Sequence, residues 1–221
     1  MGGRAGEGKN TMRFWYRWAQ VILHWIYRII WGLKVKGREN IPDKGGVLVA
    51  ANHLSYHDPP MVASSIVGRE IFFFAKEELF RGNKFFAALI RKLNAIPVTK
   101  RKADRRAIRK GLRVLKDGFV LVIFPEGGRN RTDRAFLPPY PGTGYIALKV
   151  RVPIVPAYIA NTNAPFWECL LRKKPHTVIF GKPIVPDEYA HLPKGMEGAV
   201  ILSEMIMERI EELARNEGHI G

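Results

Sequence analysis

An α/β fold, with a mixed and largely parallel sheet covered by helices on both faces, is what this sequence predicts. An amphipathic helical segment precedes it. Three observations carry the prediction. Short apolar runs rich in β-branched and aromatic residues recur between residues 47 and 180, as strands buried on both faces require. Helical apolar patterns separate them, and that alternation marks a sheet wrapped on two sides. The chain has 221 residues, of which 47% are hydrophobic: enough for one core, and too apolar for a disordered chain. The one cysteine, Cys169, excludes a disulfide framework and favours a reducing compartment. With 36 Lys and Arg against 20 Asp and Glu, the net charge of +16 calls for an anionic partner.

Residues 1–10 are a Gly-rich polar leader. Residues 12–33 hold four of the five tryptophans, Trp15, Trp18, Trp25 and Trp31. Their polar members, Arg13, Arg17, Gln20, His24 and Arg28, fall on one narrow stripe of a 3.6-residue helix, and the rest of the cylinder is apolar. Arginines interrupt any signal-peptide core. The longest stretch without Lys or Arg, 18–27, falls well short of the roughly 18 apolar residues that a membrane span needs. The segment either lies in a bilayer interface or packs on the protein's own core. Tryptophan content favours the interface, with the four tryptophans at headgroup depth and Arg13, Arg17 and Arg28 reaching lipid phosphates. Residues 1–37 are therefore read as leader and interface helix, and 38–221 as the α/β domain.

Strands are expected at 47–51, 71–75, 119–124, 154–160 and 177–180, with 95–98 as a further candidate. Helices are expected at 59–66, 83–92, 103–116, 143–150 and 198–215. The first strand runs into His53, His57, Asp58 and two prolines. Asp58 is expected to cap a helix starting at Pro59. His53 then stands at the carboxyl end of a buried strand, where ligands of open α/β sheets bind. The loop also lets the Asp58 carboxylate meet the imidazole, fix its tautomer and leave the other ring nitrogen as a general base. The alternatives are a plain capped loop or a metal pair. The latter is disfavoured, because Leu54 stands where a zinc-protease pattern needs Glu. No nucleophile motif accompanies the pair, which suggests direct deprotonation of a substrate hydroxyl.

The strand 119–124 leads into Pro125, Glu126, Gly127, Gly128 and Arg129. The glycines allow backbone N–H groups to approach a ligand, Arg129 offers a fork for phosphate, and Glu126 can hold that Arg or a hydroxyl. A solvated surface turn is the competing reading. Residues 81–116 carry 13 Lys and Arg and a single acid, Asp104. A solvated helix face accounts for most of them, and the concentration of aromatics in the apolar helix rather than among the lysines argues against nucleic acid. Asn130 opens an Asn-Arg-Thr triplet that reads as a chance glycosylation match. Residues 141–147 fit Gly-x-Gly-x-x-Ala, but no strand precedes them, so a nucleotide cofactor is not expected.

Taken in order, these pieces resemble the 1-acylglycerol-3-phosphate acyltransferases, the PlsC-type glycerolipid enzymes, over about 47–184. The family's Asn-His-x-Ser-x-x-Asp stands as Asn52, His53, Ser55 and Asp58. Its Gly-x-Ile-x-Val-x-Arg appears as Asn94, Ile96, Val98 and Lys100, followed by Arg101. Its Phe-Pro-Glu-Gly-Thr-Arg is Phe124 to Arg129 with Gly128 for Thr, and Val-Pro-Ile-Val-Pro is Val152 to Pro156. The resemblance implies that His53, oriented by Asp58, deprotonates the sn-2 hydroxyl of a lysophosphatidate, which attacks an acyl thioester to give phosphatidate. Arg129, with Lys100 or Arg101, would hold the phosphate beside the Glu126–Gly127 turn, and Lys76 would stabilise the thioester oxyanion. It implies acyl-ACP or acyl-CoA as co-substrate with no cofactor or metal, and a peripheral place on the cytoplasmic face of the cell membrane. Partners would be anionic phospholipid and possibly acyl carrier protein. Glycerol 3-phosphate or another lysolipid is the alternative acceptor. A non-catalytic basic protein that binds anionic membrane or nucleic acid is the alternative class.

Overall fold

The computed structural model describes residues 14–99 and 104–220. Its elements, in chain order, begin with helix α1 (Phe14–Ile30), strand β1 (Lys34–Lys36), β2 (Val47–Ala51), α2 (Asp58–Ser65) and β3 (Ile71–Lys76). Then come α3 (Lys84–Lys92), β4 (Ala95–Val98), α4 (Arg105–Lys116), β5 (Val120–Ile123) and α5 (Gly142–Val150). The chain closes with β6 (Ile154–Ala160), α6 (Phe166–Leu170), β7 (Thr177–Phe180), α7 (Pro186–Tyr189) and α8 (Met196–Asn216).

The seven strands form one sheet in the order β1-β7-β6-β2-β5-β3-β4. Every pairing is parallel except β6 with β7. The mixed sheet expected from the sequence is thus present, with β1 added at one edge. Lys34–Lys36 alternates exposed, half-buried, exposed, and three residues with two lysines carry no strand signal of their own. Residues 34–36 lie within the segment read as leader and interface helix, so the sheet draws on that segment too.

Alternate residues of the central strands enter two cores. Leu48, Leu121 and Ile154 meet Val114, Ile146, Leu202 and Ile206 of α4, α5 and α8. Val47, Val49, Val120 and Val155 meet Met61, Val62 and Ile66 of α2 and its end, together with Tyr27 of α1. Helices therefore cover both faces. Helix α3 packs Ile90 against Ala75 and Ala95, with Phe73 shared between that cluster and the α1–α2 core, so α3 joins the α1–α2 layer.

Helix α1 docks through Tyr16, Gln20 and His24. Gln20 Nε2 donates to the carbonyls of Ala63, Ile66 and Arg69 at 3.0, 3.1 and 3.0 Å. His24 Nδ1 meets Ser64 O at 3.1 Å, and the Tyr16 hydroxyl donates to Ile71 O at 3.1 Å. Gln20 and His24 thus satisfy carbonyls at and just beyond the end of α2, and Tyr16 reaches the start of β3. Phe14, Trp18, Ile22, Trp25, Ile26 and Ile29 consequently face outward, all exposed. Arg17 and Arg28 flank them, also exposed. Trp31 departs from this face: it stacks on His176 with centroids 6.0 Å apart. Arg13 lies outside the described residues.

Candidate active site

Strands β2, β5, β3 and β4 are parallel and end on the same sheet edge, and the candidate residues follow those ends. Asn52 finishes β2 by pairing with β6 through its side chain: Nδ2 donates to Ile159 O at 2.9 Å, and Oδ1 accepts from Ile159 N at 2.7 Å. The backbone of His53 is thereby released from the ladder and held on both sides by the segment after β5. Its N–H donates to Glu126 Oε1 at 2.8 Å, and its carbonyl accepts from Asn130 N at 2.7 Å. The His53 ring stacks on Phe124 with centroids 4.2 Å apart.

Asp58 does not cap α2. The helix begins at Asp58 itself, with His57 as its N-cap, and no side chain caps it. The carboxylate turns back into the preceding loop. Oδ2 accepts from His53 Nδ1 at 2.7 Å and from the N–H groups of Leu54 and Ser55 at 2.6 and 2.7 Å. The group is fully buried, and Oδ1 has no partner among the described residues. A carboxylate aimed backward closes the five-residue turn and fixes the imidazole together. Nδ1 being taken by Asp58, Nε2 is the ring nitrogen left available. His57 turns the other way, its Nδ1 3.2 Å from the Tyr27 hydroxyl, and so joins α1 rather than His53.

Against the expectation that Glu126 faces a ligand, its buried carboxylate clamps two loops, with Oε2 accepting from Leu137 N at 2.9 Å. Burial raises its pKa, and the N–H groups of His53 and Leu137 pull the other way. Gly127 has φ +65°, and its N–H closes the turn onto Phe124 O at 3.0 Å instead of pointing outward. A Cβ there would stand 2.7 Å from the Tyr140 ring. Arg129 is half-buried, its guanidinium stacked 3.6 Å over the Tyr56 ring, which brings it beside the His53–Asp58 loop. Lys76 is exposed at the end of β3, two strands from His53 on the same edge. Lys100 and Arg101, just beyond the end of β4, lie outside the described residues.

Sequence reasoning missed Phe124, Asn130 and Tyr56. Asn130 has a readable signal: its Oδ1 accepts from Thr132 N at 3.0 Å, an Asx turn that an Asn-x-Thr after a glycine pair permits.

Residues 32–160 match the family described simply as acyltransferase. The chain belongs to that family. The acyltransferase is 30% identical over 198 residues to the 1-acyl-sn-glycerol-3-phosphate acyltransferase of Bacillus subtilis (strain 168), covering 90% of this chain and 96% of that one. It is 27% identical to the protein of the same name from Streptococcus pneumoniae, over 93% of this chain and 75% of the relative. Among solved structures it resembles the 1-acyl-sn-glycerophosphate (LPA) acyltransferase PlsC of Thermotoga maritima. The TM-score is 0.62 with 25% identity, over 91% of this chain and 83% of that one. The fold and the reaction class of the acyltransferase follow from these matches.

Proposed function

We propose that this acyltransferase moves a fatty acyl group from acyl-ACP or acyl-CoA to the sn-2 hydroxyl of 1-acylglycerol-3-phosphate, giving phosphatidate. The observation that supports it most is the 2.7 Å contact between His53 Nδ1 and the buried Asp58 carboxylate. His53 Nε2 takes the hydroxyl proton as the oxygen attacks the thioester carbonyl carbon. The tetrahedral intermediate collapses, the C–S bond breaks, and the imidazolium returns the proton to the departing thiolate. Asp58 stabilises the imidazolium between those two events. No cofactor enters this sequence.

Arg129, with Lys100 or Arg101, holds the substrate phosphate, and the Gly127 turn keeps Arg129 in place. Lys76 supplies positive charge where the thioester oxyanion develops. The net charge of +16 suits either acidic donor. Among the described residues no helix is long and apolar enough to cross a membrane. The exposed face of α1 supports a peripheral, monotopic position; the cytoplasmic side of the cell membrane is the side we propose. The test is thiol release from an acyl thioester in the presence of 1-oleoyl lysophosphatidate. His53→Ala is expected to lose roughly two to four decades of turnover. Acceptor-dependent release that survives in this variant would remove the general base from the mechanism.

A further inference from the structure

The α1 face is not the only apolar surface on its layer. Helix α3 buries Ala87 and Ile90 and turns the rest outward: Phe85 is 89% exposed, with Phe86 and Leu89 beside it at 46% and 52%. Phe85, Leu89 and Lys92 are spaced i, i+4, i+7 and share one stripe. That stripe borders α1, because Lys92 Nζ lies 5.6 Å from the Trp15 ring. At the other end of α1, α6 exposes Phe166, Trp167 and Leu170, followed by exposed Leu171. The Phe166 ring is 6.3 Å from that of Trp31, and Arg172 donates to Ile29 O at 2.6 Å. So α3 and α6 place further exposed apolar side chains beside the two ends of the α1 face, with Lys92 at one junction and Trp31 and Arg172 at the other. Exposed Lys84 and Lys173 stand at the two ends of this set, and Lys92 lies between α3 and α1.

Large apolar side chains exposed together on three neighbouring elements mark an interaction surface, and cations among and around them complement an anionic bilayer. We propose that α3 and α6 are bilayer-contacting elements in their own right, extending the α1 face into a three-element platform on one side of the sheet. This extension rests on the membrane reading of α1. Its physical consequence is orientation. A single interfacial helix leaves a protein free to roll about the helix axis, whereas contacts beside both its ends remove that freedom. Helix α3 follows the carboxyl end of β3 and α6 that of β6, so the platform holds the edge bearing His53 at a set angle to the lipid.

The test is partitioning of the purified chain onto phosphatidylcholine vesicles made with and without phosphatidylglycerol. Phe85→Glu/Leu89→Glu and Trp167→Glu/Leu170→Glu are each compared with Trp18→Glu/Trp25→Glu on α1. All six side chains are exposed, so melting temperatures should stay at that of the parent. Each α3 and α6 pair is expected to weaken binding to the anionic vesicles by about tenfold or more, since two apolar anchors are lost. Unchanged binding for either pair, while the α1 pair loses it, overturns the platform and leaves the α1 reading standing. Unchanged binding for the α1 pair overturns both.

Discussion

Replacing Asp58 by Asn separates the two things this carboxylate does. Its Oδ2 anchors the loop through the Leu54 and Ser55 N–H groups and faces His53 Nδ1. An amide oxygen in the same place accepts all three hydrogen bonds, and the NH2 group falls where the unpartnered Oδ1 now sits. Geometry is therefore kept and charge is lost. In the ground state that change is modest. In the transition state of the proposed mechanism His53 is an imidazolium whose charge centre is about 4 Å from that of the carboxylate. At an effective dielectric of about 20 their attraction is about 4 kcal/mol. Each tenfold in rate corresponds to about 1.4 kcal/mol, so Asp58→Asn should lower kcat by about three decades. The assay is thiol release under saturating acceptor for Asp58→Asn, His53→Ala and the double variant. The double variant should be no slower than His53→Ala, since the two residues act as one unit. A kcat for Asp58→Asn within tenfold of the parent, with unfolding unchanged, would refute electrostatic coupling and leave Asp58 a loop anchor only.

Gln20→Leu keeps the size of the side chain but strands the carbonyls of Ala63, Ile66 and Arg69. A loss of about 2–4 kcal/mol is expected in urea unfolding, because each buried orphan costs about 1–3 kcal/mol and the three share one amide group. His176 is buried at the end of α1, and burial, followed by repulsion from His57, depresses its pKa from 6.5 to about 4. A depressed folded pKa means stability that is complete above pH 6.5 and lost as pH falls towards 4. His176→Phe should remove that acid sensitivity from the denaturation midpoint. Gly127→Ala puts a Cβ into the Tyr140 ring at φ +65°, and about 1–2 kcal/mol of stability should go from the left-handed backbone alone. Arg129 should be displaced with the turn, so the KM for lysophosphatidate should rise.

Strands β2, β4, β6 and β7 were legible at their observed bounds, because each is an apolar run closed by polar or turn residues. The His53–Asp58 contact was legible too, since the spacing and the turn chemistry between the residues are local. What stayed hidden depends on contacts between distant segments. Nothing within residues 119–130 says that Glu126 and Asn130 will hold the backbone of His53. The direction of the Asp58 carboxylate is a choice between two sets of N–H groups, those of its own helix and those of the loop before it. For α1, periodicity told which residues share a side but not which side meets the protein. Gln20 and His24 were grouped correctly with Arg17 and Arg28, yet two of the four dock and two remain exposed.

That inverted docking makes the outer face of α1 permanent. Many proteins that visit membranes keep their anchor folded away in water and release it on a signal. Rolling α1 to conceal its outer face would tear the Gln20 amide from three carbonyls. Among the described residues this surface is left uncovered. In a solution without amphiphile its recourse is self-association that grows with concentration, and detergent or a polar redesign of Trp18, Ile22 and Trp25 is what should keep it dispersed.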